Sequence, residues 1–372
     1  MTADRSTVKT GIVGCGNIGQ HHAERLSQLG VPIVGGMDVS EAARRRFAER
    51  YDAESYADHH ELYDAVDAVV ITTPNAFHEE YAVDAFERNR HVLLEKTLAH
   101  TLESAERIAA AAAKSHGVSM VGFNNRFRNG VRLIADRIAR GELGEVMHVE
   151  ANYVRRRGVP GRGSWFTSKN VAGGGSLIDI GVHVIDLSMY LLEYPTVETV
   201  SGVTRSEFGG REEYAYLEMW GEDAGPDGFD VDDSASAFIR CDGNRTISLE
   251  VAWATNRPPT YEIVVRGTEA AAVFDLHDHE VTIHSARSTG TDHFVDTTLS
   301  PGENDGHVDE QRAFFDAIES GNEIDVGASV EDALTVQRIV DGIYRSSERG
   351  EAVELRSSGR AEPVGLDSGE RG

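Results

Sequence analysis

A glycine-rich turn between an apolar strand pattern and a helical pattern constrains this chain more than any other feature. Gly14, Gly16 and Gly19 form a G-x-G-x-x-G sequence directly after the apolar run Val8–Val13. Glycine at these positions permits a tight turn, lets backbone N–H groups approach a pyrophosphate and allows the helix to pack closely on the strand. The helix N-terminus adds a partial positive charge. We therefore predict a dinucleotide-binding turn, with the intervening residues Asn17 and Ile18 also contacting the cofactor.

An acidic residue follows this turn where dinucleotide-binding chains hold the adenosine ribose. Asp38 comes directly after the second predicted strand, Val31–Met37, 19 residues after the last glycine. Its carboxylate can accept from a ribose diol and repels a 2′-phosphate, which favours NAD over NADP. Arg44, Arg45 and Arg46 on the next predicted helix keep NADP open, because a helix arginine can turn towards such a phosphate. The alternative interpretation of these arginines is a solvated helix face. The alternative interpretation of the three glycines is a turn that binds no ligand.

Two patterns divide the chain. Short β-branched runs alternate with helical patterns in residues 8–125, which predicts right-handed crossovers and a doubly wound parallel sheet. After residue 125 come segments in which apolar and polar residues alternate, with a hairpin signal at Asp242-Gly243. We expect an α/β fold class: an N-terminal Rossmann domain at 1–125, a C-terminal α+β domain with a mostly antiparallel sheet at 126–355, and a disordered tail at 356–372.

The charge balance excludes some partners and suggests an environment. The 372 residues include 62 acidic and 36 basic side chains, for a net charge of −26. Nucleic acids and anionic membranes attract Lys and Arg, so we expect neither as a partner. Only four of the basic residues are lysines. Acid-rich, lysine-poor surfaces suit molar salt, where the Debye length falls to about 3 Å, so we predict a halophilic protein; an ordinary acidic enzyme is the alternative.

Other sequence features favour a reduced, cytoplasmic protein. Cys15 and Cys241 are the two cysteines, too few for a disulfide framework or a thiolate metal site. The polar N-terminus lacks a secretory apolar region, and no apolar run reaches about 18 residues. We predict no metal, because no H-E-x-x-H sequence occurs. The pairs His21-His22 and His59-His60 are interpreted as surface residues.

Polar residues follow three of the buried strands, where ligands bind in open α/β sheets. These segments are Thr72–Asn75 with His78, Glu95 with Lys96, and Asn124–Arg126. The ammonium of a lysine at such a strand end can polarise a hydroxyl or a carbonyl group. An ion pair with Glu95 or another acid is the alternative role for Lys96. The third segment makes Asn124 and Arg126 candidate substrate ligands.

A second candidate group lies on an apolar helical segment at residues 176–192, SLIDIGVHVIDLSMYLL. Asp179 and His183 are four residues apart and therefore share a helix face, and Asp186 follows three residues later. A histidine beside a carboxylate suits a general base whose tautomer and pKa are set by its neighbour. A purely structural hydrogen bond is the alternative interpretation.

The stretch RRRGVPGR at residues 155–162 is locally basic in this acidic chain. Trp165 and Phe166 follow it, just ahead of the helix that carries Asp179. We interpret the stretch as a loop at the substrate entrance, where Trp165 stacks on a ring of the substrate and an arginine such as Arg157 binds hydroxyl, carboxylate or phosphate groups. Arginines paired with surface acids or with another subunit are the alternative.

Taken together, four motifs resemble the Gfo/Idh/MocA oxidoreductase family. They are GCGNIG at 14–19, TTPNAFHEEY at 72–81, EKTLA at 95–99 and GGGSLIDIGVHVIDL at 173–187. The resemblance implies a catalytic group of Lys96, Asp179 and His183. It also implies nicotinamide cofactor contacts from Thr73, Pro74, Asn75, His78, Glu95 and Lys96. One departure is Thr97, where the family usually has proline, and the turn there is expected to be less rigid.

The resemblance also implies a class of reaction: reversible hydride transfer between NAD and a secondary alcohol of a sugar, inositol or related polyol. Family members are often homodimers or homotetramers. In this hypothesis His183 takes the hydroxyl proton, Asp179 orients His183 or a substrate hydroxyl, and Lys96 stabilises negative charge on oxygen. Two alternatives remain open: an enzyme that cleaves glycosides or exchanges hydride between sugars with tightly held NAD, and a non-catalytic NAD- or sugar-sensing protein.

Overall fold

The computed structural model describes residues 7–355, except residues 218, 220 and 323. The predicted tail at 356–372 lies outside the described residues. Two sheets organise the chain, one parallel and one mostly antiparallel, so the predicted fold class is confirmed.

The first sheet is parallel and has the strand order β3-β2-β1-β4-β5-β6. Its strands are β1 (Thr10–Val13), β2 (Ile33–Met37), β3 (Glu54–Tyr56), β4 (Ala68–Ile71), β5 (His91–Leu94) and β6 (Ser119–Val121). Its helices are α1 (Asn17–Leu29), α2 (Glu41–Tyr51), α3 (His59–Ala65), α4 (His78–Glu87) and α5 (Leu102–Ala112). The strand order reverses between β1 and β4, which makes their carboxyl ends the topological switch point where such sheets bind ligands.

The second sheet has nine strands in the order β14-β13-β12-β11-β7-β10-β9-β8-β15. Its strands are β7 (Val146–Val154), β8 (Val197–Arg205), β9 (Ser234–Cys241), β10 (Thr246–Ala252), β11 (Glu262–Gly267), β12 (Ala270–Asp275), β13 (Val281–Arg287), β14 (His293–Leu299) and β15 (Val353–Glu354). Its neighbours pair antiparallel except for β7 with β10.

Helices cover one face of this second sheet and connect it to the first. They are α6 (Asn129–Ala139), α7 (Lys169–Ala172), α8 (Val182–Leu191), α9 (Gly306–Ser320) and α10 (Val330–Arg349). Buried side chains of α8 and α10 belong to the core that also contains the inward residues of β7 and β10. Phe314 and Phe315 of α9 instead pack with Ile12 and Phe47 of the first domain, so the chain returns to the Rossmann domain near its end.

The segment Lys169–Leu191 is long and apolar enough to span a membrane by length and composition. However, 78% of its apolar window is buried inside the protein. Its helix α8 supplies the centre of the second core, with Val184, Ile185 and Leu187 fully buried. We therefore interpret the segment as a core element that holds the site residues between the two sheets.

Candidate active site

The glycine turn between β1 and α1 has the geometry of a pyrophosphate cradle. Gly14 has a φ of +95°, a conformation that favours glycine. A Cβ on Gly19 would lie 2.0 Å from the carbonyl oxygen of Gly14, whereas a Cβ on Gly16 would meet no atom within 4 Å. The close approach at Gly19 lets the helix pack on the strand, and the open space at Gly16 leaves room for a ligand. Gly16 caps α1 without any side-chain hydrogen bond, so backbone N–H groups at its start remain for a phosphate.

Asp38 lies next to this glycine turn. Its Oδ2 accepts from the backbone N–H of Cys15 at 2.9 Å, and its Oδ1 accepts from that of Ser40 at 2.8 Å. These two bonds fix the carboxylate next to the glycine turn, where a ribose diol can donate to it. Arg44 donates to the Asp38 carbonyl oxygen at 3.2 Å, and Arg45 forms an ion pair with Glu41. The carboxylate and cradle together fit NAD.

A cleft of about 770 Å³ runs from this turn to the second domain. The predicted cofactor residues that line it are Gly14, Gly16, Asn17, Ile18, Asp38, Thr73, Pro74, Asn75, Glu95 and Lys96. Trp165, Phe166, Ile178 and Asp179 line its other side. The cleft therefore places the strand ends of the Rossmann domain opposite the helical segment of the second domain.

Lys96 and Asp179 join the two domains within this cleft. The Lys96 ammonium donates to Asp179 Oδ1 and to the Asp179 backbone carbonyl, each at 2.8 Å. The other carboxylate oxygen accepts from the indole N–H of Trp253 at 2.9 Å. Burial alone would raise the pKa of Asp179, but the charges of Lys96 and Arg155 and these hydrogen bonds hold it below its usual value. Asp179 is therefore an anchored carboxylate.

His183 lies at the start of α8, directly after a short π-helical turn over Leu177–Gly181 that carries Asp179. Its Nδ1 is buried and has no hydrogen-bond partner among the described residues. Burial and, secondarily, the charge of Lys96 lower the pKa of His183 to about 3. The imidazole is therefore neutral and lies near Lys96 and Asp179, but its unpartnered Nδ1 is enclosed by protein, and His183 is not among the residues that line the cleft.

A chain of buried hydrogen bonds, the Gln311–His22–Glu95 relay, holds the Glu95 carboxylate in place. Gln311 Nε2 lies 2.7 Å from His22 Nδ1, and His22 Nε2 lies 2.7 Å from Glu95 Oε1. Burial would raise the pKa of Glu95, but the hydrogen bond and charge of His22 outweigh it and lower the value to about 2. The interpretation of His21-His22 as surface residues was wrong for His22, which is completely buried because α9 covers it.

The surface interpretation was also wrong for His59, which is buried. Its Nε2 hydrogen-bonds to Asp84 Oδ2 at 2.8 Å. Two groups bring metal-ligating atoms within 4.8 Å of one another: His22, Glu95 and His307, and Asp58, His59 and His60. In the first group the hydrogen bonds to Gln311 and Glu95 occupy both ring nitrogens of His22. That the enzyme works without a metal remains a prediction.

Two of the predicted ligands have other partners in the structure. Arg126 is 2% exposed and donates to both oxygens of Asp186 at 3.0 and 2.6 Å, as well as to Tyr194, Asp332 and the Gly327 carbonyl. We correct its predicted substrate role to that of a buried ion pair. Asp186 therefore faces Arg126. His78 is fully buried, and its nitrogens lie 2.9 Å from the carbonyls of Thr73 and Thr97, so it supports the backbone of the cleft; its contact with the cofactor stays a prediction.

Asn124 and Arg157 also have protein partners. Asn124 hydrogen-bonds to His307 Nε2 at 2.9 Å. The guanidinium of Arg157 donates to the carbonyls of Arg156 and Thr255, donates to Asn256 Oδ1, and lies 4.7 Å from the ring centroid of Phe208. These contacts account for their positions within the described chain, and neither residue lines the cleft. Trp165 does line it.

Thr97, at the position where the family usually has proline, is 2% exposed, and its hydroxyl donates to Gln337 Oε1 at 2.9 Å. The Lys96–Thr97 peptide bond is cis. Sequence reasoning missed Trp253 and Gln311, whose contacts with the site come from distant parts of the chain. The position of Trp253 directly after β10 is a signal that was available, because strand ends supply ligands.

A glycine cradle, an acid that suits a ribose diol and a Lys–Asp–His group across one cleft define a nicotinamide-dependent oxidoreductase. The chain matches the family model described as "Oxidoreductase family, NAD-binding Rossmann fold" over residues 8–123 and the "GFO/IDH/MocA C-terminal domain" over residues 131–273. It belongs to the Gfo/Idh/MocA family of oxidoreductases, and NAD is its cofactor.

Several relatives match almost the whole chain. D-Glucoside 3-dehydrogenase of Escherichia coli is 28% identical, over 94% of this chain and 98% of that protein. Levoglucosan dehydrogenase of Pseudarthrobacter phenanthrenivorans is also 28% identical, with the same shares covered. Among solved structures, a levoglucosan dehydrogenase in complex with NADH and levoglucosan has a TM-score of 0.79 at 24% identity, over 93% of this chain and 99% of that one. This structural likeness confirms the fold.

Proposed function

We propose that this protein is an NAD-dependent dehydrogenase that oxidises a secondary alcohol of a sugar, inositol or related polyol, reversibly. The observation that carries the proposal is the Lys96–Asp179 contact at 2.8 Å across the cleft that the glycine turn opens. The relatives named for glucoside and levoglucosan oxidation support this substrate class.

NAD, when bound, accepts the hydride from the carbinol carbon. The glycine turn would hold its pyrophosphate, Asp38 its adenosine ribose, and Thr73, Pro74, Asn75, Glu95 and Lys96 its nicotinamide half. The Gln311–His22–Glu95 relay keeps the Glu95 carboxylate ionised at the edge of the cleft. The ligand-bearing strand ends are thereby ordered before any cofactor arrives, which lowers the entropy cost of binding.

His183 is the proposed base. Its imidazole is neutral at working pH, because its pKa is lowered to about 3. It would take the hydroxyl proton while hydride leaves the same carbon, so that no free alkoxide accumulates. The Lys96 ammonium would stabilise negative charge on that oxygen, and Asp179 would hold Lys96 in place and orient a substrate hydroxyl. A positioned base contributes about 10²–10⁴-fold to the rate.

We also propose a cytoplasmic homodimer or homotetramer built through the second sheet. The helices cover its inner face, while Val203, Phe238 and Phe294 are exposed on the other, with Phe294 88% exposed. Apolar side chains exposed on an open sheet face, here among polar ones such as Glu150 and Arg266, are favourable to bury against a second copy. Light scattering after gel filtration tests the assembly, and Phe294→Asp should shift it towards the monomer.

The activity is tested by following NADH formation at 340 nm in KCl-rich buffer, across aldoses, inositols and glycosides. Reduction of NAD by at least one member of the panel is the expected result. Absence of any reduction by a folded protein that still binds NAD would overturn the proposal and favour a sensing role.

A further inference from the structure

Arg155 stands next to the residue that anchors the catalytic carboxylate. The parallel pairing of β7 with β10 matches Tyr153 with Val251 and Val154 with Ala252. Continued by one residue, this register sets Arg155 beside Trp253, and the Arg155 N–H donates to the Ala252 carbonyl at 2.8 Å. Paired residues of parallel strands project to the same face, about 4.8 Å apart. Since Trp253 contacts Asp179, Arg155 lies near that carboxylate on the same sheet face, although Arg155 is not among the residues that line the cofactor cleft.

Arg155 has no acidic partner, although the chain is rich in acids. Its guanidinium donates to the Gly158 carbonyl at 3.2 Å and lies 5.4 Å from the ring centroid of Tyr153. No carboxylate in the described chain lies within 4 Å of it. By contrast, Arg126 and Arg162, the more buried arginines of the same region, pair with Asp186 and Asp223. Among the described residues Arg155 forms no ion pair; the nearby Asp179 carboxylate, whose pKa it helps to lower, bonds directly to Lys96 and Trp253 instead.

An aromatic surface adjoins this charge on the same sheet face. Tyr153 and Tyr261 face each other across β7 and β11, with ring centroids 5.2 Å apart, and His277 lies 3.8 Å from Tyr261. Each of the two tyrosines is partly exposed. Such rings offer large apolar faces with polar edges, which suits the face of a sugar ring. The remaining ionisable neighbours are Arg128 and Asp275, which surround His277.

These observations concern the substrate class, and the inference rests on the proposed function. We propose that the substrate is an anionic sugar, whose carboxylate or phosphate group pairs with Arg155 while its ring lies against Tyr153 and Tyr261. A neutral sugar would leave the partly buried guanidinium without a counter-charge. A carboxylate or a phosphate matches the planar donors of arginine in two parallel hydrogen bonds. The shared chemistry is an anionic group beyond the carbon that is oxidised.

The test compares matched pairs of neutral and anionic sugars with the full-length enzyme and NAD at constant ionic strength. Glucose is set against glucuronate for a carboxylate and against glucose 6-phosphate for a phosphate. We expect kcat/KM to be at least about 10-fold higher for one anionic member, as for a charge-assisted hydrogen bond. Whichever of the two shows the preference identifies the anionic group.

Arg155→Gln should reduce the ratio of anionic to neutral kcat/KM by about 10- to 100-fold, and Arg155→Lys should restore part of it. Arg156→Gln is the matched control, because Arg156 is the exposed neighbour on the opposite strand face, and it should keep the wild-type ratio. The inference is overturned if neutral sugars are oxidised with the same kcat/KM as anionic ones. It is also overturned if Arg155→Gln lowers kcat/KM equally for both kinds of sugar. In either case the dehydrogenase activity stands. If no sugar of either kind reduces NAD, the proposed function itself fails.

Discussion

The ammonium of Lys96 donates to both the side chain and the backbone carbonyl of Asp179, each at 2.8 Å. This double contact connects the strand end of the Rossmann domain to the helical segment of the second domain. It fixes the Lys96 ammonium within the cleft, near the proposed base His183. The proposed catalytic group is therefore assembled from both domains.

Removal of the Lys96 ammonium should abolish most turnover. We expect Lys96→Met to lower kcat by about 10²–10⁴-fold, the range for a positioned group that stabilises charge on the reacting oxygen. Lys114→Met is the matched control, since Lys114 is exposed on the far side of the Rossmann domain. Turnover of Lys96→Met within a few-fold of wild type would contradict the role given to Lys96.

Asp38 should determine the choice between NAD and NADP. Asp38→Asn keeps an oxygen for one of the Cys15 and Ser40 N–H groups, loses the acceptor of the other, and removes the charge that repels a 2′-phosphate. We expect the ratio of kcat/KM for NADP to that for NAD to rise by roughly 10-fold. Glu41→Gln, which removes an exposed acid nearby, should leave the ratio unchanged, and a similar rise in that variant would attribute the effect to general charge.

Trp253 should act as a positioning residue for Asp179. Trp253→Phe removes the indole N–H that donates to Asp179 Oδ2 at 2.9 Å. Since this bond helps to lower the pKa of Asp179, its loss should raise that pKa and move the acid limb of the kcat/KM profile to higher pH. We expect kcat to fall about 10-fold. NAD affinity serves as the internal control, because Trp253 does not line the cofactor cleft, and an unmoved pH profile would leave Trp253 a packing role only.

Burial of neutral His183 should make the fold sensitive to acid. Its pKa is lowered from 6.5 to about 3 in the folded protein, so below pH 6.5 the unfolded chain binds a proton that the native state does not. The free energy of unfolding should therefore fall as pH drops from 6.5 towards 3, by up to about 1.4 kcal/mol per pH unit. Urea unfolding of His183→Gln should show a shallower loss than wild type, whereas exposed His279→Gln should follow wild type. Parallel curves for His183→Gln and wild type would exclude this assignment.

High salt should stabilise the protein. A net charge of −26 repels itself in dilute buffer and is screened in molar KCl, where the Debye length is about 3 Å. We expect Tm to rise steadily across a KCl series, and NAD reduction to be greatest at the high end. Undiminished Tm in dilute buffer would refute the halophilic interpretation.

Much of the cofactor half of the site was predictable because its signals are local. The glycine turn, Asp38 after the second strand and Lys96 after β5 sit at positions that strand and helix periodicity alone defines. The four-residue spacing of Asp179 and His183 predicted a shared α-helical face, but Asp179 lies in a π-helical turn before α8 and bonds to Lys96 and Trp253. Arg126 shows the limit: it follows a strand end as Lys96 does, yet its partner Asp186 lies 60 residues away and removes it from the cleft.

The sequence by itself determined the order of strands and helices, the phosphate turn and the residue types that chemistry requires, since these follow from short-range periodicity and backbone freedom. Only the tertiary structure decided which polar groups face the cleft. Burial under α9 made His22 the support of Glu95. The pairing of β7 with β10 brought Trp253 to Asp179 and placed Arg155 where no acid of residues 7–355, as far as they are described, forms an ion pair with it. These contacts join segments far apart in the chain, and a buried polar group takes whichever partner the packing supplies because leaving it unpaired costs about 1–3 kcal/mol.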